Sequence, residues 1–250
     1  MQKFIQSLNN FKNDGLSIII TAYKSQDFIE ECLDSIQNQN YFKYNDNYEI
    51  LLGIDACETT LKKVKEIRNK YKNLKVFYAT ENGGTYRMRN SLWIRAKYDN
   101  ILFFDSDDVM PPNFVDCNMK YIREYDLIRY KIMKFISGQN KVIRELPIWF
   151  SFGSIITKKK MMYKLKGFSD ERISMDMELV KRMEKIGVKE YHNNIFYWYR
   201  VHKNQLTVSS ETSMVSNKRK IVNDKIYKRL NSRNIINDII ITNNSLCRIS

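Results

Sequence analysis

The sequence predicts an α/β protein with an open, mostly parallel sheet flanked by helices. Three observations lead to this prediction. Short apolar, β-branched runs have the character of parallel strands that are buried on both faces. Helical patterns separate these runs, as right-handed βαβ units require. The chain has 250 residues, 43% of them hydrophobic, which is enough for one large domain with its own core.

Strands and helices alternate in the first part of the chain. The predicted strands are LSIIITA (16–22), YEILLGID (48–55), LKVFYA (74–79) and ILFFD (101–105). A helix with an apolar stripe over 28–36 is expected after Ser25, which is placed to cap it. Apolar positions between Leu61 and Tyr71 indicate a second helix, and residues 86–97 a third, basic one.

After Pro112 the pattern is mixed. Residues 126–146 predict a hairpin that turns near 137–140, and SIIT (154–157) predicts another short strand. A helix is expected over about 175–186, followed by the aromatic strand YHNNIFYWYRVH (191–202). This smaller mixed region therefore differs from the regular alternation that precedes it.

The domain organisation predicted is one domain over residues 1–210, with halves at about 16–110 and 111–210. A basic helical tail over 211–250 is expected to follow. In the tail, Val222, Ile226 and Leu230 recur at helical spacing among lysines and arginines. That stripe fits packing on the domain, its commoner use, or docking on an anionic membrane face.

Composition narrows the function classes. The net charge of +14 favours an anionic partner: nucleic acid, an acidic membrane or a phosphate-bearing substrate. The four cysteines are far apart without a CxxC pair, which predicts reduced thiols. No signal-peptide pattern is seen at the N-terminus and no apolar run is long enough to span a membrane. We therefore expect a cytoplasmic protein, with contact to the membrane surface left open.

The stretch ILFFDSDDVMPP (101–112) drives an apolar strand into three aspartates. Ligands bind beyond the carboxyl ends of strands in open α/β sheets, and residues i and i+2 of an extended segment point to one side. The carboxylates of Asp105 and Asp107 would repel each other unless a cation lay between them. Oxygen ligands of this kind suit Mg²⁺ or Mn²⁺ with a phosphorylated substrate. The alternative is a loop in which aspartate caps a turn.

Six segments in this order resemble the family-2 glycosyltransferases, which bind nucleotide sugars and have the GT-A fold. They are LSIIITAYKSQDFIEECLDSI, EILLGID, NGGTYRMRN, ILFFDSDD, GFSDERISMDMELVKRM and YRVHKNQLT, within about residues 16–210. The resemblance implies a metal-dependent, inverting enzyme that moves a sugar from a nucleotide sugar, expected to be a UDP-sugar. The acceptor would be a hydroxyl of a glycan, lipid-linked or other molecule in polysaccharide or glycoconjugate synthesis.

The resemblance also implies a set of donor-binding residues. They are Thr21, Ala22, Tyr23, Asp55, Asn82, Gly83, Arg89, Asn90 and Ser106. Gly83 and Gly84 additionally permit a close approach of the backbone. Arg87 and Arg89 would neutralise diphosphate charge or lie solvated on the helix surface. The chain departs from the family at 55–58, where Asp-Ala-Cys-Glu replaces the usual Asp-Asp-Gly-Ser, so the nucleobase stays open.

By the same resemblance, Asp105 and Asp107 match the DxD motif that holds Mn²⁺ or Mg²⁺. His202 in YRVH matches a histidine that joins the metal or the diphosphate. Asp108 is expected to fix the loop. The alternative for His202 is an ordinary loop histidine.

Asp176 matches the family's acceptor-side base, although Met175 stands where a glutamate is usual. Its alternative use is as a helix N-cap. Glu178, two residues further along the helix, is expected to point to a different side, toward solvent. If Asp176 is not the base, Asp170 or Glu171 is the next candidate.

The sequence also leaves several alternative roles and functions open. Trp149, Phe150 and Trp198 would stack on a sugar or lie in the core. A nucleic-acid-binding module would explain the charge, but aspartates repel phosphate, so no nucleic-acid partner is expected. A nucleotidyltransferase would need a glycine-rich loop near the first strand, and TAYKSQDF has no glycine. A catalytically inactive relative would fit Met175 and the altered segment at 55–58.

Overall fold

The structure, a computed structural model, describes residues 15–136, 141–148, 151–203, 205, 207, 213–231 and 245–249. Its strands are β1 (Leu16–Ala22), β2 (Tyr48–Asp55), β3 (Leu74–Ala79), β4 (Asn100–Asp105), β5 (Leu127–Ile136), β6 (Lys141–Leu146), β7 (Ile155–Lys158), β8 (Glu190–Arg200) and β9 (Leu246–Ile249). Its helices are α1 (Ile29–Gln37), α2 (Glu58–Ile67), α3 (Thr85–Trp93), α4 (Phe114–Met119), α5 (Lys159–Lys164), α6 (Met175–Lys185) and α7 (Asn217–Leu230). The N-terminal segment 1–14, the hairpin turn at 137–140, Trp149 and Phe150 lie outside the described residues.

The described strands form one mixed sheet in the order β6-β5-β7-β4-β1-β2-β3-β9, with β8 paired to β5. Strand β1 lies at the centre, parallel to both β2 and β4. All of its residues are buried, because Ile18 and Ile20 face one hydrophobic cluster and Ile19 faces the other. This arrangement confirms the predicted fold class and explains the unbroken apolar run, since neither face meets water.

The register of the parallel strands fixes where their ends lie. Thr21 is paired with Gly53 on β2 and with Asp105 on β4. The carboxyl ends of three strands therefore meet at one edge of the sheet. A Cβ on Gly53 would lie 2.4 Å from the sulfur of Met88 on α3, so a larger residue there would force this side chain to move. A glycine thus lets helix α3 approach the sheet directly beside this edge.

The mixed half continues the sheet from β4 with antiparallel β7. Strand β5 pairs with β7 at its first two residues, antiparallel with β6 farther on, and parallel with β8 from Leu127 to Phe135. Two backbone hydrogen bonds of 2.9 Å join Val109 to Trp198 on β8. The segment that follows the aspartates is thereby tied to the mixed half.

Several predicted boundaries shift. Helix α1 begins at Ile29, and the hydroxyl of Ser25 bonds to Ser106 at 2.8 Å instead of capping the helix. Helix α2 ends at Ile67 in a short 3-10 turn, before Tyr71. Helix α3 spans Thr85–Trp93 and does not reach Lys97, because i→i+3 backbone bonds close a turn there.

The described residues of the tail form one helix and one short strand. Helix α7 forms as predicted, and its Val222, Ile226 and Leu230 are buried in the cluster beneath α6, so this stripe packs on the domain. Strand β9 was not predicted: Leu246–Ile249 pairs antiparallel with β3. Four residues carry too little pattern to predict a strand, and the partner edge supplies the pairing. Among the described helices, none has the length and apolarity of a membrane crossing.

Candidate active site

The candidate site lies at the sheet edge where β1, β2 and β4 end. Asp105 is the last residue of β4, and its Oδ1 accepts a hydrogen bond of 2.6 Å from Arg89. Arg89 is 1% exposed and also donates to the carbonyl of Gly153 at 2.9 Å. Burial raises the pKa of Asp105 despite this guanidinium, and repulsion from Asp107 and Asp176 raises it further. Asp107 and Asp176 thus lie close enough to Asp105 to repel it, beside the buried guanidinium of Arg89.

The aspartate cluster is held by a turn. The N–H of Asp108 donates to the carbonyl of Asp105 at 3.3 Å, so Asp107 lies in the turn and not in an extended segment. The i, i+2 argument for convergence was therefore wrong, although Asp105 and Asp107 are close enough to repel each other. Asp108 is fully buried and accepts from the N–H of Arg200 at 3.0 Å, which fits the loop-fixing role predicted for it. Arg200 also donates to the carbonyl of Asp107 at 2.6 Å.

His202 lies beside Asp107, with 2.9 Å between its Nε2 and Asp107 Oδ2. Its ring is packed 4.4 Å from that of Phe28. In the part of the chain that the structure describes, no three His, Cys, Asp or Glu side chains are arranged to hold a metal. The three predicted ligands Asp105, Asp107 and His202 therefore do not form a complete protein cage. Carboxylates with mutual repulsion nevertheless fit a hard divalent cation whose remaining ligands come from a substrate.

Asp55, at the end of β2, holds the loop formed by Asn82, Gly83 and Gly84. Its two oxygens accept hydrogen bonds from the N–H groups of Gly83 at 2.9 Å and Gly84 at 2.8 Å. Gly84 has a φ of 84°, the left-handed region that glycine adopts without strain. Asn82 donates to the carbonyl of Asp55 and accepts from Arg172 at 2.9 Å. These predicted donor residues are thus linked to one another.

Asn90 makes its side-chain contacts inside the protein. Its side chain is 1% exposed, donates to the carbonyl of Phe168 at 2.8 Å and accepts from the N–H of the same residue at 2.9 Å. It also accepts from the indole of Trp93 at 3.1 Å. The amide is fully engaged inside the protein, so its contribution is to hold the chain at residue 168.

The remaining predicted donor residues are at the ends of β1 and β4. Thr21, Ala22 and Ser106 are buried, whereas Tyr23 is 46% exposed. Ser106 is bonded to the hydroxyl of Ser25, which joins the two strand ends. Tyr23 is therefore the member of this group with the most surface available for a ligand.

Asp176 lies in the first turn of α6, on the mixed half. The N-cap of this helix is Ser174, with a left-handed φ of 61°, so Asp176 is not the cap. Its Oδ1 accepts a hydrogen bond of 3.0 Å from the phenol of Tyr86. Its Oδ2 lies 3.5 Å, and Asp105 Oδ2 3.3 Å, from the point where a Cβ on Gly153 would stand. The two carboxylates therefore approach each other across a glycine.

The prediction that Glu178 faces solvent was wrong. It is fully buried, and its Oε2 lies 2.8 Å from Arg182 and 3.2 Å from the hydroxyl of Ser169. Arg229 of α7 lies 3.1 Å from the other oxygen. The tail helix covers this side of α6, which the helical pattern of 175–186 alone does not reveal.

Sequence reasoning missed the contacts that hold the loop before α6. Arg87 forms a bidentate ion pair with Asp170, with 2.5 Å from Nε to Oδ1 and 2.8 Å from Nη2 to Oδ2. Arg172 donates both to the side-chain oxygen and to the carbonyl of Asn82. Arg87 is therefore not simply solvated, and Asp170 is engaged. Tyr86 was also missed, although it stands between glycines and arginines already singled out in NGGTYRMRN.

Comparison with known proteins decides the family. The family described as Glycosyl transferase family 2 matches residues 17–183. The chain belongs to this family. The match includes both Asp105 and Asp176, and it confirms the family predicted from the six segments.

Relatives within the family align over part of their length. The chain is 41% identical over 95 residues to a poly(ribitol-phosphate) β-glucosyltransferase of Bacillus spizizenii, covering 37% of this chain and 15% of the relative. It is 34% identical over 128 residues to the poly(ribitol-phosphate) β-N-acetylglucosaminyltransferase TarS of Staphylococcus aureus, covering 49% of this chain and 22% of the relative. The matched region is thus less than a quarter of either relative.

Solved structures share the fold. TarS 1–349 in complex with UDP-GlcNAc superposes with a TM-score of 0.69 at 21% identity, covering 88% of this chain and 67% of that one. A mannosyltransferase of Pyrobaculum calidifontis in complex with GDP-Man and Mn²⁺ gives a TM-score of 0.61 at 15% identity, covering 86% and 70%. These similarities confirm the fold class.

Proposed function

We propose that this chain is the catalytic unit of a glycosyltransferase, which moves a sugar from a nucleotide-sugar donor to an acceptor hydroxyl. The observation that carries the proposal is the approach of Asp105 and Asp176 across Gly153. Asp105 ends a parallel strand, where open α/β sheets bind nucleotides. Asp176 belongs to the mixed half. Glycosyl transfer needs both positions, one beside the departing diphosphate and one beside the attacking hydroxyl.

The donor proposed is a UDP-sugar at the ends of β1, β2 and β4. TarS supports uridine, because it is 34% identical to this chain over 128 residues and has been crystallised with UDP-GlcNAc and with UDP. We propose that Tyr23, which is half-exposed, contacts the nucleotide directly. Asp55 and Asn90, which are bonded to backbone groups of Gly83 and Phe168, are proposed to shape the site around it.

The metal proposed is Mn²⁺ or Mg²⁺, held by Asp105 and Asp107. Burial raises the pKa of Asp105, repulsion from Asp107 raises it further, and a cation between the two would relieve that repulsion. When bound, it would supply Lewis-acid stabilisation of the negative charge on the diphosphate. His202 is proposed to orient Asp107 or to complete the ligand set, since the two are 2.9 Å apart. The mannosyltransferase with Mn²⁺ supports a metal in this fold.

The base proposed is Asp176. It would take the proton of the acceptor hydroxyl while that oxygen attacks the anomeric carbon. The bond from this carbon to the diphosphate oxygen breaks, and the diphosphate leaves with the electron pair. A single displacement inverts the anomeric centre, so an α-linked nucleotide sugar such as UDP-GlcNAc would give a β-linked product, the configuration in the names of two relatives.

The acceptor proposed is an anionic glycoconjugate or polysaccharide. Both of these relatives are named for poly(ribitol-phosphate), a polymer of phosphodiesters, and the net charge of +14 on this chain would attract such a polymer. A lipid-linked or uncharged glycan is the alternative. Nucleic acid is not proposed as a partner.

For the organisation of the chain, we propose a catalytic domain over 1–210, with a donor half at about 16–110 and an acceptor half at about 111–210. The basic tail over 211–250 packs on it through the buried stripe of α7.

The opposite side of α7 exposes Ile221 among Lys218, Lys225 and Lys228. We propose that it contacts an anionic membrane at the cytoplasmic face. Flotation with anionic and neutral vesicles tests this, and equal binding to both, or none, would contradict it.

The decisive experiment measures UDP binding and turnover of UDP-glucose and UDP-GlcNAc with Mn²⁺, with Mg²⁺ and with EDTA. We expect binding and turnover to need the cation, and Asp107→Asn to weaken Mn²⁺-dependent UDP binding by roughly tenfold to hundredfold. Asp46→Asn, at an exposed surface aspartate, is the matched control. UDP binding that is equally tight in EDTA would exclude the metal. Absence of turnover with tight UDP binding would indicate an inactive relative.

A further inference from the structure

The two oxygens of Asp176 have different surroundings. Oδ1 accepts a hydrogen bond from the phenol of Tyr86 at 3.0 Å. Oδ2 lies 3.5 Å from the point that a Cβ on Gly153 would occupy, and Asp105 Oδ2 lies 3.3 Å from the same point. One oxygen is thus held by the protein, while the other borders the space that Asp176 shares with Asp105.

Tyr86 is itself fixed in place. It follows Gly84, whose N–H is bonded to Asp55 at 2.8 Å, so the start of α3 is tied to the end of β2. Its ring lies 5.5 Å from that of Phe168. Burial raises the pKa of Tyr86 well above its usual range, and the charge on Asp176 raises it further. The phenol therefore stays protonated and remains a donor.

We propose that Tyr86 is a positioning residue for the catalytic base: its hydroxyl fixes Oδ1 of Asp176 and turns Oδ2 toward the space over Gly153, where the acceptor hydroxyl is deprotonated. This rests on the proposed role of Asp176. A carboxylate with one oxygen fixed has one orientation of its second oxygen. General base catalysis depends on that geometry, because the oxygen must lie within hydrogen-bonding reach of the proton.

Gly153, which has no side chain, leaves the space between Asp105 and Asp176 open. A methyl group there would lie 3.3 Å from Asp105 Oδ2 and 3.5 Å from Asp176 Oδ2. Gly153 has no left-handed φ, so its backbone does not require glycine. Glycine at this position is therefore explained by the space that it leaves for reacting atoms, and Gly153→Ala tests that space without straining the backbone.

The test compares Tyr86→Phe with Tyr71→Phe in the full chain. Tyr71 donates to Asp34 at 2.9 Å, so both variants remove one tyrosine-to-aspartate hydrogen bond, and Tyr71 follows α2 at the opposite end of the strands. Turnover of UDP-GlcNAc and UDP-glucose with Mn²⁺, KM, the UDP dissociation constant and Tm are measured. We expect Tyr86→Phe to lower kcat roughly tenfold to hundredfold, with KM for the donor and UDP affinity within about twofold.

The control should lower Tm without lowering kcat, and Gly153→Ala should lower kcat while Tm is retained. The proposal is overturned if Tyr86→Phe keeps the wild-type kcat, or if its kcat and UDP affinity fall together as they would in a disordered site. Asp176→Asn is measured alongside. If the wild type has no turnover, or Asp176→Asn is fully active, the proposed function fails and the role of Tyr86 with it. A dead Asp176→Asn beside an unaffected Tyr86→Phe rejects the positioning role alone.

Discussion

Asp105 and Asp176 border the same space, but two different kinds of structure bring them there. Asp105 ends β4, and the pairing of Thr21 with it on β1 fixes its place through backbone register. Asp176 lies in the first turn of α6, after the loop 165–174, and is not part of a strand pairing. That loop is held by side chains of α3, with Arg87 bonded to Asp170 and Asn90 bonded to Phe168.

The difference shows how one site can divide its tasks. The strand-end side, formed by the last residues of β1, β2 and β4, is set by the same backbone hydrogen bonds that form the core. The helix side, formed by the loop 165–174 and α6, is held by packing of side chains such as Phe168 and Leu179 in a hydrophobic cluster and by long-range polar contacts, without strand pairing. Residues on the strand-end side should therefore be hard to displace. The helix side should tolerate shifts of its backbone, but catalysis should be sensitive to substitution of its reacting side chain.

The largest effect expected is on the helix side. Asp176→Asn should reduce sugar transfer by about 10²–10⁴-fold, because amide oxygen and nitrogen cannot take the proton of the acceptor. UDP binding should remain nearly unchanged, since the nucleotide is proposed to bind at the strand-end side. Turnover of UDP-GlcNAc and calorimetric titration with UDP measure the two effects separately. Near-full turnover would show that Asp176 is not the base. The base would then be sought at Asp170 or Glu171.

The strand-end side is also the part that sequence predicts well. The runs that became β1, β2 and β3 matched their observed bounds. Every residue of β1 and β2 is buried, as their largely apolar sequences predict, whereas β3 is buried only in part. Asp105 could be placed at a ligand edge from that pattern alone. The turn at Asp105–Asp108 could not, because Arg200, which holds it, is distant in sequence.

On the helix side the sequence predicted the helix but not its environment. The apolar stripe of α6 was visible, whereas the burial of Glu178 depends on Arg229 from α7. Likewise, β9 owes its strand conformation to the free edge of β3. Such features arise from pairings between segments that are distant in the chain, and the local periodicity of one segment carries no information about them.

The second prediction concerns the stability contributed by the buried ion cluster of Glu178, Arg182 and Arg229. Glu178→Gln should destabilise the fold by about 3 kcal/mol, because it leaves Arg182, which is fully buried, without its counter-charge. Glu124→Gln is the control: Glu124 is 66% exposed and lies 3.9 Å from Lys189, so a change within about 1 kcal/mol is expected. Urea unfolding of both variants measures the difference. Equal stability of the two would show that the cluster does not anchor the helix side.

The smallest effect expected tests access to the strand-end side through Cys57, which follows β2. Burial opposes ionisation of its thiol, but hydrogen bonds from Thr59, Thr60 and the N–H of Lys24 outweigh it and lower the pKa of Cys57 to about 7. By contrast, burial raises the pKa of Cys32 well above its usual range.

Only the thiolate reacts with iodoacetamide, so alkylation of Cys57 should accelerate from pH 6 to pH 8 and then level off, while Cys32 stays unmodified. The experiment uses a variant with Cys117→Ser and Cys247→Ser, so that these two thiols alone remain to be followed by mass spectrometry. UDP with Mn²⁺ should slow the modification of Cys57 by a few fold, because a nucleotide at the end of β2 covers it. UMP and ADP tested at the same concentration would report whether the diphosphate or the base provides the protection. If saturating UDP leaves the rate unchanged, the nucleotide does not lie against residues 55–58, and the strand-end side must bind it from the ends of β1 and β4 instead.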